Sequence, residues 1–496
     1  MKKLNILYIA AESRPFVTVG GLGEVAYSLV RAISQLTQKE TDPYDVDIRL
    51  ALPFHAAIHR DNLDMESIAS FDIPSNKGLV KATAYEVRVD GITVYLIQGS
   101  PIPTEPGPIY AMDAALDGHK YVFFSIAALE LAKTIGWQPH ILHANDWHTA
   151  PAVYYVYLKR KQDQFYSNIK TLLTIHNLPY LGSGAGQAMN DYGLPAAENS
   201  PLPFWAQNLP LPVGLLTADH IVAVSPGYAS EILTPAYGSG LHEFLKTRQD
   251  TISGILNGID TDYWNPEIDP TITFNYSVSQ VEPREGNKTW LQKKFKLEEE
   301  PRNPIMAVVS RLDYQKGIDL VLDALMNLAD LRWQVIILGT GTPDLEDAAR
   351  RLERVYPDRV RAVIAYDKEL SRHIYDGADI FLIPSRYEPC GLVQMIAMRY
   401  GCVPVARATG GLKDTIVDCM HLAECTGFLF EEATALDLEK AIRRALAAYK
   451  QKRIWKKIQK FCMERDFSWQ QSALKYFNLY TILHNNNSND KNNDIR

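Results

Sequence analysis

Short, almost unbroken apolar runs recur along this chain, and each has the length of a strand rather than a helix. The first is Asn5 to Ala11, reading NILYIAA. A glycine-rich turn, Val19-Gly-Gly-Leu-Gly23, follows it, and Val25, Leu29, Val30 and Ile33 then fall at helical spacing. Strand, glycine turn and helix open a parallel α/β unit. Runs without polar alternation suit strands whose two faces are both covered by helices. The pattern returns at 46–52, 140–143, 172–175 and 220–224. Segments 82–90 and 92–98 read as a hairpin turned at Asp90-Gly91, and 120–135 as a helix rich in Phe, Ala and Leu.

From Asn257 to Glu299 the rhythm stops, and Pro, Asp, Asn and charged residues dominate. This segment reads as an interdomain connection. Strands resume at 305–309, 333–338, 360–364, 380–383 and 403–406, with helices over 317–328 and 343–355. The expectation is an α/β chain of two Rossmann-like parallel-sheet domains, 1–256 and 301–465, joined through 257–300 and facing an interdomain cleft. Ligands of such sheets bind beyond the carboxyl ends of the strands. Residues 466–484 read as a C-terminal helix capped by Ser468, and the Asn-rich residues 485–496 as a disordered tail.

Composition excludes more than it selects. With 496 residues, 46% hydrophobic and 22% charged, the chain is globular and too long for one core. Lys and Arg number 51 against 58 Asp and Glu, a net charge of −7 that argues against nucleic-acid binding. No apolar run approaches the roughly 18 residues of a membrane span. Five cysteines (390, 402, 419, 425 and 462) without CxxC spacing argue against structural zinc and against a disulfide framework. A reducing compartment follows from that reading. The N-terminal MKKLNILYIAAES reads as a first strand, because Glu12 and Arg14 interrupt it at once, so the expected location is cytoplasmic.

Five clusters carry candidate chemistry. Thr18-Val-Gly-Gly-Leu-Gly-Glu24 offers backbone N–H groups at a helix start, though without GxGxxG spacing. Ser310-Arg-Leu-Asp-Tyr-Gln-Lys-Gly317 puts Arg311 and Lys316 on one loop after a strand, a pairing suited to a diphosphate. Pro384-Ser-Arg-Tyr-Glu-Pro-Cys-Gly-Leu392 follows another strand; Cys390 there reads as a packed hydrophobe rather than a nucleophile. Arg407-Ala-Thr-Gly-Gly-Leu412 is a further strand-to-glycine turn with phosphate-binding potential. In His143-Ala-Asn-Asp-Trp-His148 the two histidines have no metal-ligand partner in sequence, so a structural or substrate-facing role is favoured.

These motifs, in this order, resemble the glycogen and starch synthase family. The resemblance spans about residues 3 to 483. It is carried by HANDWHTAP (143–151), TIHNLPYLG (174–182), VSPGYASEI (224–232), GILNGID (254–260) and WNP (264–266). SRLDYQKG (310–317), PSRYEPCGL (384–392), AMRYG (397–401), RATGGLKDT (407–415) and DFSWQ (466–470) complete it. The resemblance implies the GT-B fold and a C-terminal helix packing back on the first domain. It implies a retaining transferase moving glucose from a nucleotide diphosphate sugar, usually ADP-glucose, to the non-reducing 4-hydroxyl of an α-1,4-glucan. Catalytic roles then fall to Arg311, Lys316, Glu388 and His148. Gly20, Gly21, Asn177, Tyr366, Thr409, Gly410 and Gly411 are donor-binding, with Tyr366 beside the nucleobase. Trp290 is a packing residue. No metal or other cofactor is required, because protein cations face the leaving diphosphate.

Three departures lie in the first domain. The family's glycine loop carries lysine where this chain has Thr18. Arg14 is the cation that could fold back in its place, although solvent exposure is the simpler expectation. The family's Asp-Asn pair is replaced by Leu116-Asp-Gly-His-Lys120, with Asp117 as the equivalent acid, one residue out of step. Around 208–215, where the family often carries a Lys-Ala-Gly segment, this chain has Leu209-Pro-Leu-Pro-Val-Gly214, without the lysine. Three readings follow: an active glucan synthase with an altered donor loop, using ADP- or UDP-glucose; a catalytically weak paralogue that binds nucleotide or glucan as a regulatory or scaffold subunit; and a transferase for another sugar or a short acceptor. Retention of Arg311, Lys316, Glu388 and His148 together favours the first.

Overall fold

The computed structural model describes residues 1–58, 63–420 and 424–493. Two compact units emerge, Met1–Gly258 with Trp469–Arg496, and Ile259–Ser468.

The first unit is built on nine strands: β1 (Lys2–Ile9), β2 (Tyr44–Pro53), β3 (Met65–Ser75), β4 (Gly78–Val89), β5 (Ile92–Gly99), β6 (Ile141–Asn145), β7 (Lys170–Ile175), β8 (His220–Ala223) and β9 (Ile252–Gly254). They lie in the order β3-β4-β5-β2-β1-β6-β7-β8-β9. Only β3–β4 and β4–β5 pair antiparallel. Asp90 and Gly91 turn the β4–β5 hairpin with φ of 50° and 80°, as its residue types anticipate. Leu4, Ile6 and Tyr8 of β1 and Leu50 and Leu52 of β2 are fully buried beside Val25, Leu29 and Ile33 of helix Gly21–Ser34.

Helix Trp469–Asn493 belongs to this unit and packs on helix Gly21–Ser34. Trp469, Ala473, Tyr476, Phe477, Tyr480 and Leu483 enter the same core. The Tyr480 hydroxyl hydrogen-bonds His143 Nδ1 at 2.7 Å, and Thr174 Oγ1 takes Nε2 at 2.7 Å. Both ring nitrogens of His143 are thus engaged in structure. The helix continues to Asn493, so the segment expected to be disordered from Asn485 is helical to that point; 494–496 lie outside the described residues.

The second unit holds six parallel strands: β10 (Ile305–Val309), β11 (Gln334–Leu338), β12 (Val360–Val363), β13 (Ile380–Ile383), β14 (Val403–Arg407) and β15 (Phe428–Phe430). Their order is β12-β11-β10-β13-β14-β15. Residues 259–300, expected to be a connection, belong to this unit and include helix Arg284–Lys294. Their polar composition misleads because the polar groups are buried in pairs. Lys288 meets Asp379 at 2.9 Å, and Arg284 Nε donates to the Tyr400 carbonyl at 2.9 Å. Trp290 stacks on His373 with ring centroids 4.0 Å apart.

One disulfide, Cys419–Cys425, departs from the cysteine expectation; its Cα atoms stand 5.0 Å apart. Backbone pairing of the flanking residues, not CxxC spacing, brings these thiols together: the Cys419 N–H donates to the Gly427 carbonyl at 2.8 Å and the Thr426 N–H to the Val417 carbonyl at 2.9 Å. Cys390, Cys402 and Cys462 are free and buried. Among the described residues no helix is long and apolar enough to cross a membrane.

Candidate active site

Each sheet has a point where strand order reverses. β1 lies between β2 and β6, and β10 between β11 and β13. Loops leaving adjacent strands diverge there and leave room for a ligand. Gly20, Gly21 and His148 follow β1 and β6, and Arg311, Lys316 and Glu388 follow β10 and β13, while Asn177, Tyr366 and Thr409 follow the outer strands β7, β12 and β14.

In the second unit, the loop after β10 carries Arg311 and Lys316, and the loop after β13 carries Glu388. The two approach closely at Gly317, where φ is 69° and a Cβ would sit 2.2 Å from the Pro384 carbonyl oxygen. Lys316 Nζ thereby reaches Glu388 Oε2 at 2.7 Å and Oε1 at 3.0 Å. Ser385 Oγ donates to Oε2 at 2.8 Å. Among the described residues, Arg311 is tied to its own loop alone, with Nη1 2.9 Å from Asp313 and Nη2 donating to Gln315 at 3.1 Å. Its side chain is 61% exposed, so it can swing toward a ligand at small cost.

Thr409 lies two residues beyond β14, as the N-cap of the short helix Gly410–Thr415, and is buried. Gly410 has φ 44°, and a Cβ there would meet the Glu388 carbonyl oxygen at 2.1 Å. The Gly411 N–H, expected to face phosphate, donates instead to the carbonyls of Glu388 at 3.1 Å and Pro389 at 3.2 Å. The glycine pair therefore holds the Glu388 backbone. Tyr366, in the loop after β12, is 79% exposed and presents a ring face for stacking.

In the first unit, β6 ends in Asn145 and the next helix begins with Asp146, Trp147 and His148. Asp146 takes φ 54°. Its Oδ1 accepts the backbone N–H groups of His176 at 2.7 Å and Asn177 at 3.2 Å, which fixes the loop leaving β7. Burial raises its carboxyl pKa to about 7, against the two N–H donors that lower it and with a smaller push from Glu12. His148 is buried among Trp147, Tyr121 and Tyr110, at centroid distances of 4.3, 4.6 and 5.2 Å. Burial, then Lys120, His176 and His55, pull its pKa down to about 3. The imidazole is neutral at ordinary pH, a hydrogen-bonding group rather than a carried charge.

Three buried polar atoms here have no hydrogen-bond partner: His148 Nδ1, Asn177 Oδ1 and Asn257 Oδ1. All three follow carboxyl ends of strands, where unsatisfied groups await a ligand. Asn257 was not singled out from sequence; its signal is a polar residue directly behind β9 in GILNGID.

The glycine loop differs from expectation. Glu12 is buried, and its carboxylate accepts the Val19 N–H and, at 3.2 Å, the Gly20 N–H. The anion held by these amides is the chain's own, so the Gly20 N–H is engaged and Gly21 opens the helix beyond it. Thr18 lies against Gly23. Arg14, expected to face solvent, folds back on this segment instead: its guanidinium pairs with Glu24 at 2.6 Å and its backbone N–H donates to the Gly23 carbonyl at 2.9 Å. Asp117 is a clamp: Oδ1 takes Lys120 Nζ at 2.6 Å and Oδ2 accepts the Ala111 N–H at 3.0 Å. Lys120 also donates to the Ile109 carbonyl at 2.6 Å. Among the described residues no group of three or more His, Cys, Asp or Glu could hold a metal ion.

Comparison with known proteins agrees along the whole chain. The family described as starch synthase catalytic domain matches residues 5–247, and that described as glycosyl transferases group 1 matches 291–460. A glycogen synthase from Anoxybacillus flavithermus is 37% identical over 486 residues, covering 97% of this chain and 98% of that protein. A glycogen synthase from Ligilactobacillus salivarius is 36% identical over 485 residues, covering 97% and 100%. Among solved structures, the catalytic domain of starch synthase IV from Arabidopsis thaliana, bound to ADP and acarbose, is similar with a TM-score of 0.85 at 31% identity. It covers 97% of this chain and 100% of that one.

Proposed function

This chain belongs to the glycogen and starch synthase family, with its GT-B fold, and from that premise we propose that it transfers glucose from ADP-glucose to the non-reducing 4-hydroxyl of an α-1,4-glucan, with retention. As the glycosidic bond breaks, negative charge grows on the departing β-phosphate. Cations fixed in advance beside that oxygen stabilise the transition state more than the ground state. Lys316 is one: Glu388 and Gly317 hold it before any donor arrives. Arg311 is the second, exposed and weakly tied, and closes on the diphosphate as a bidentate fork. Glu388 exchanges its bond with Lys316 for sugar hydroxyls. Tyr366 stacks on the base, and Thr409 and Gly410 border the phosphate.

On the first unit, neutral His148 and the unpartnered oxygens of Asn177 and Asn257 contact the transferred sugar and acceptor. Gly20 and Gly21 shape the loop around the diphosphate, while Thr18 and Asp117 act on the site indirectly. In the front-face mechanism assigned here, the leaving phosphate takes the acceptor proton. We assign the reaction to the cytoplasm, where nucleotide sugars are made.

The observation that carries this reading is the Lys316–Glu388 pair at the strand-order reversal of the second sheet. Thr18 and the Arg14–Glu24 pair favour a second reading, a paralogue of weak turnover or changed donor. The test is glucose transfer from ADP- and UDP-glucose to glycogen. Turnover with ADP-glucose is expected; faster turnover with UDP-glucose reassigns the donor. Nucleotide binding without turnover from either donor refutes the enzyme reading.

A further inference from the structure

The second unit has a cavity at the end of its sheet opposite the candidate donor loops. Its lining includes Pro301 and Arg302, just before β10, and Asp379, just before β13. Lys316 and Glu388 stand on loops that leave the far ends of those same strands. The volume is about 330 Å³, at the small end of ligand sites and ample for a phosphate group.

Five cationic side chains line this space: Arg284, Lys288, Arg302, Lys452 and Lys456. Three acids oppose them, Glu282, Glu285 and Asp379. The floor is already satisfied. Lys288 Nζ reaches Asp379, the Tyr449 hydroxyl at 2.6 Å and the Pro301 carbonyl at 3.0 Å, while Arg284 is committed to backbone carbonyls. The rim is not. Lys452 stands 4.0 Å above the Tyr449 ring. Partial burial, with Lys288 and Lys456 adding to it, holds the Lys452 ammonium below its ordinary value despite Asp379 and Glu285. Lys456 meets Glu282 at only 3.4 Å, and Arg302 is 86% exposed.

A second observation points to a ligand. Trp455, also in the lining, is 3% exposed, and its indole N–H has no hydrogen-bond partner. A buried donor left unpaired costs free energy, and an oxygen acceptor in the cavity would relieve it.

We propose that this cavity is a binding site for a small phosphate-bearing anion, separate from the donor site. Lys452, Lys456 and Arg302 supply the charge, and Trp455 Nε1 donates to a phosphate oxygen. The assignment is independent of glucosyl transfer.

Isothermal titration calorimetry on the full chain tests it, with inorganic phosphate and a hexose monophosphate as probes. The background is R311Q/K316Q, which removes the cations of the other phosphate site. Saturable binding of at least one probe is expected. Adding K452Q/K456Q should weaken it about tenfold or more, the scale of one charge-assisted hydrogen bond. W455F should weaken it several-fold with the circular dichroism spectrum unchanged. Equal affinity for both probes identifies free phosphate as the ligand, and tighter hexose monophosphate identifies a sugar phosphate. No saturable binding of either probe, or unchanged affinity in either variant, overturns the assignment.

Discussion

Asp146→Asn tests the electrostatics of the first unit. The carboxyl carries a pKa of about 7 in the folded chain, raised by burial. An unfolded aspartate titrates near 3.9. The gap is about three units, and each unit is about 1.4 kcal/mol, so ionising Asp146 in place costs on the order of 4 kcal/mol. Between about pH 4 and pH 7 the folded state keeps a proton that the unfolded state has released. Stability therefore falls as pH rises through that window, and the loss is complete above pH 7, where both states are ionised. Asparagine has no proton to lose. Its Oδ1 can accept the His176 and Asn177 N–H groups as the carboxylate does, and it tolerates φ 54°. The variant should thus gain on the wild type as pH rises from about 4 to about 7, by a few kcal/mol, and hold that gain above. Calorimetric unfolding at a series of pH values reads this, with the two units' transitions treated separately. Turnover should follow: a titration near pH 7 in the wild type, absent from the variant. A variant-to-wild-type difference independent of pH refutes a proton held at Asp146.

The donor cations should separate by stability. Arg311→Ala should lower kcat about 10²-fold or more while leaving the melting temperature nearly unchanged, because its pair with Asp313 is largely exposed. Lys316→Gln should lower kcat similarly and also melt earlier, since it leaves the Glu388 carboxylate, 9% exposed, without its cation; near-normal kcat in both removes the phosphate-clamp role. Thr18→Lys should lower the KM for nucleotide sugar about tenfold, the scale of one charge-assisted contact, and an unchanged KM shows that the loop works without a cation. Gly410→Ala should weaken nucleotide binding, because its Cβ would displace the Glu388 carbonyl from 2.1 Å; unaltered binding by calorimetry would separate this turn from the donor site.

The α/β alternation was legible because strands covered on both faces leave apolar runs that nothing else in a soluble chain requires. β3 was missed for the converse reason: it is an edge strand whose residues are mostly part-exposed, so its pattern is broken by Glu66, Ser67, Ser70 and Asp72. Residues 259–300 looked like a linker because composition does not show whether polar groups are solvated or paired. Arg284, Asn287, Lys288 and Gln292 are all buried with partners. The same limit applies at the site. Lys316 and Glu388 lie 72 positions apart, and their ion pair exists only because β10 and β13 are neighbours. Parallel α/β topology puts loops after strands at one edge, so both motifs could be assigned to the donor, but not to each other. The glycine loop shows the limit most clearly. A turn of free N–H groups at a helix start attracts an anion, and the sequence reading offers a donor phosphate for that place. Which anion is a matter of three-dimensional placement, and the first to arrive is Glu12, seven residues before Val19 in the same chain. With Thr18 where the family has lysine, those amides are closed by a carboxylate of the same unit, and any other anion approaching the loop must compete with Glu12.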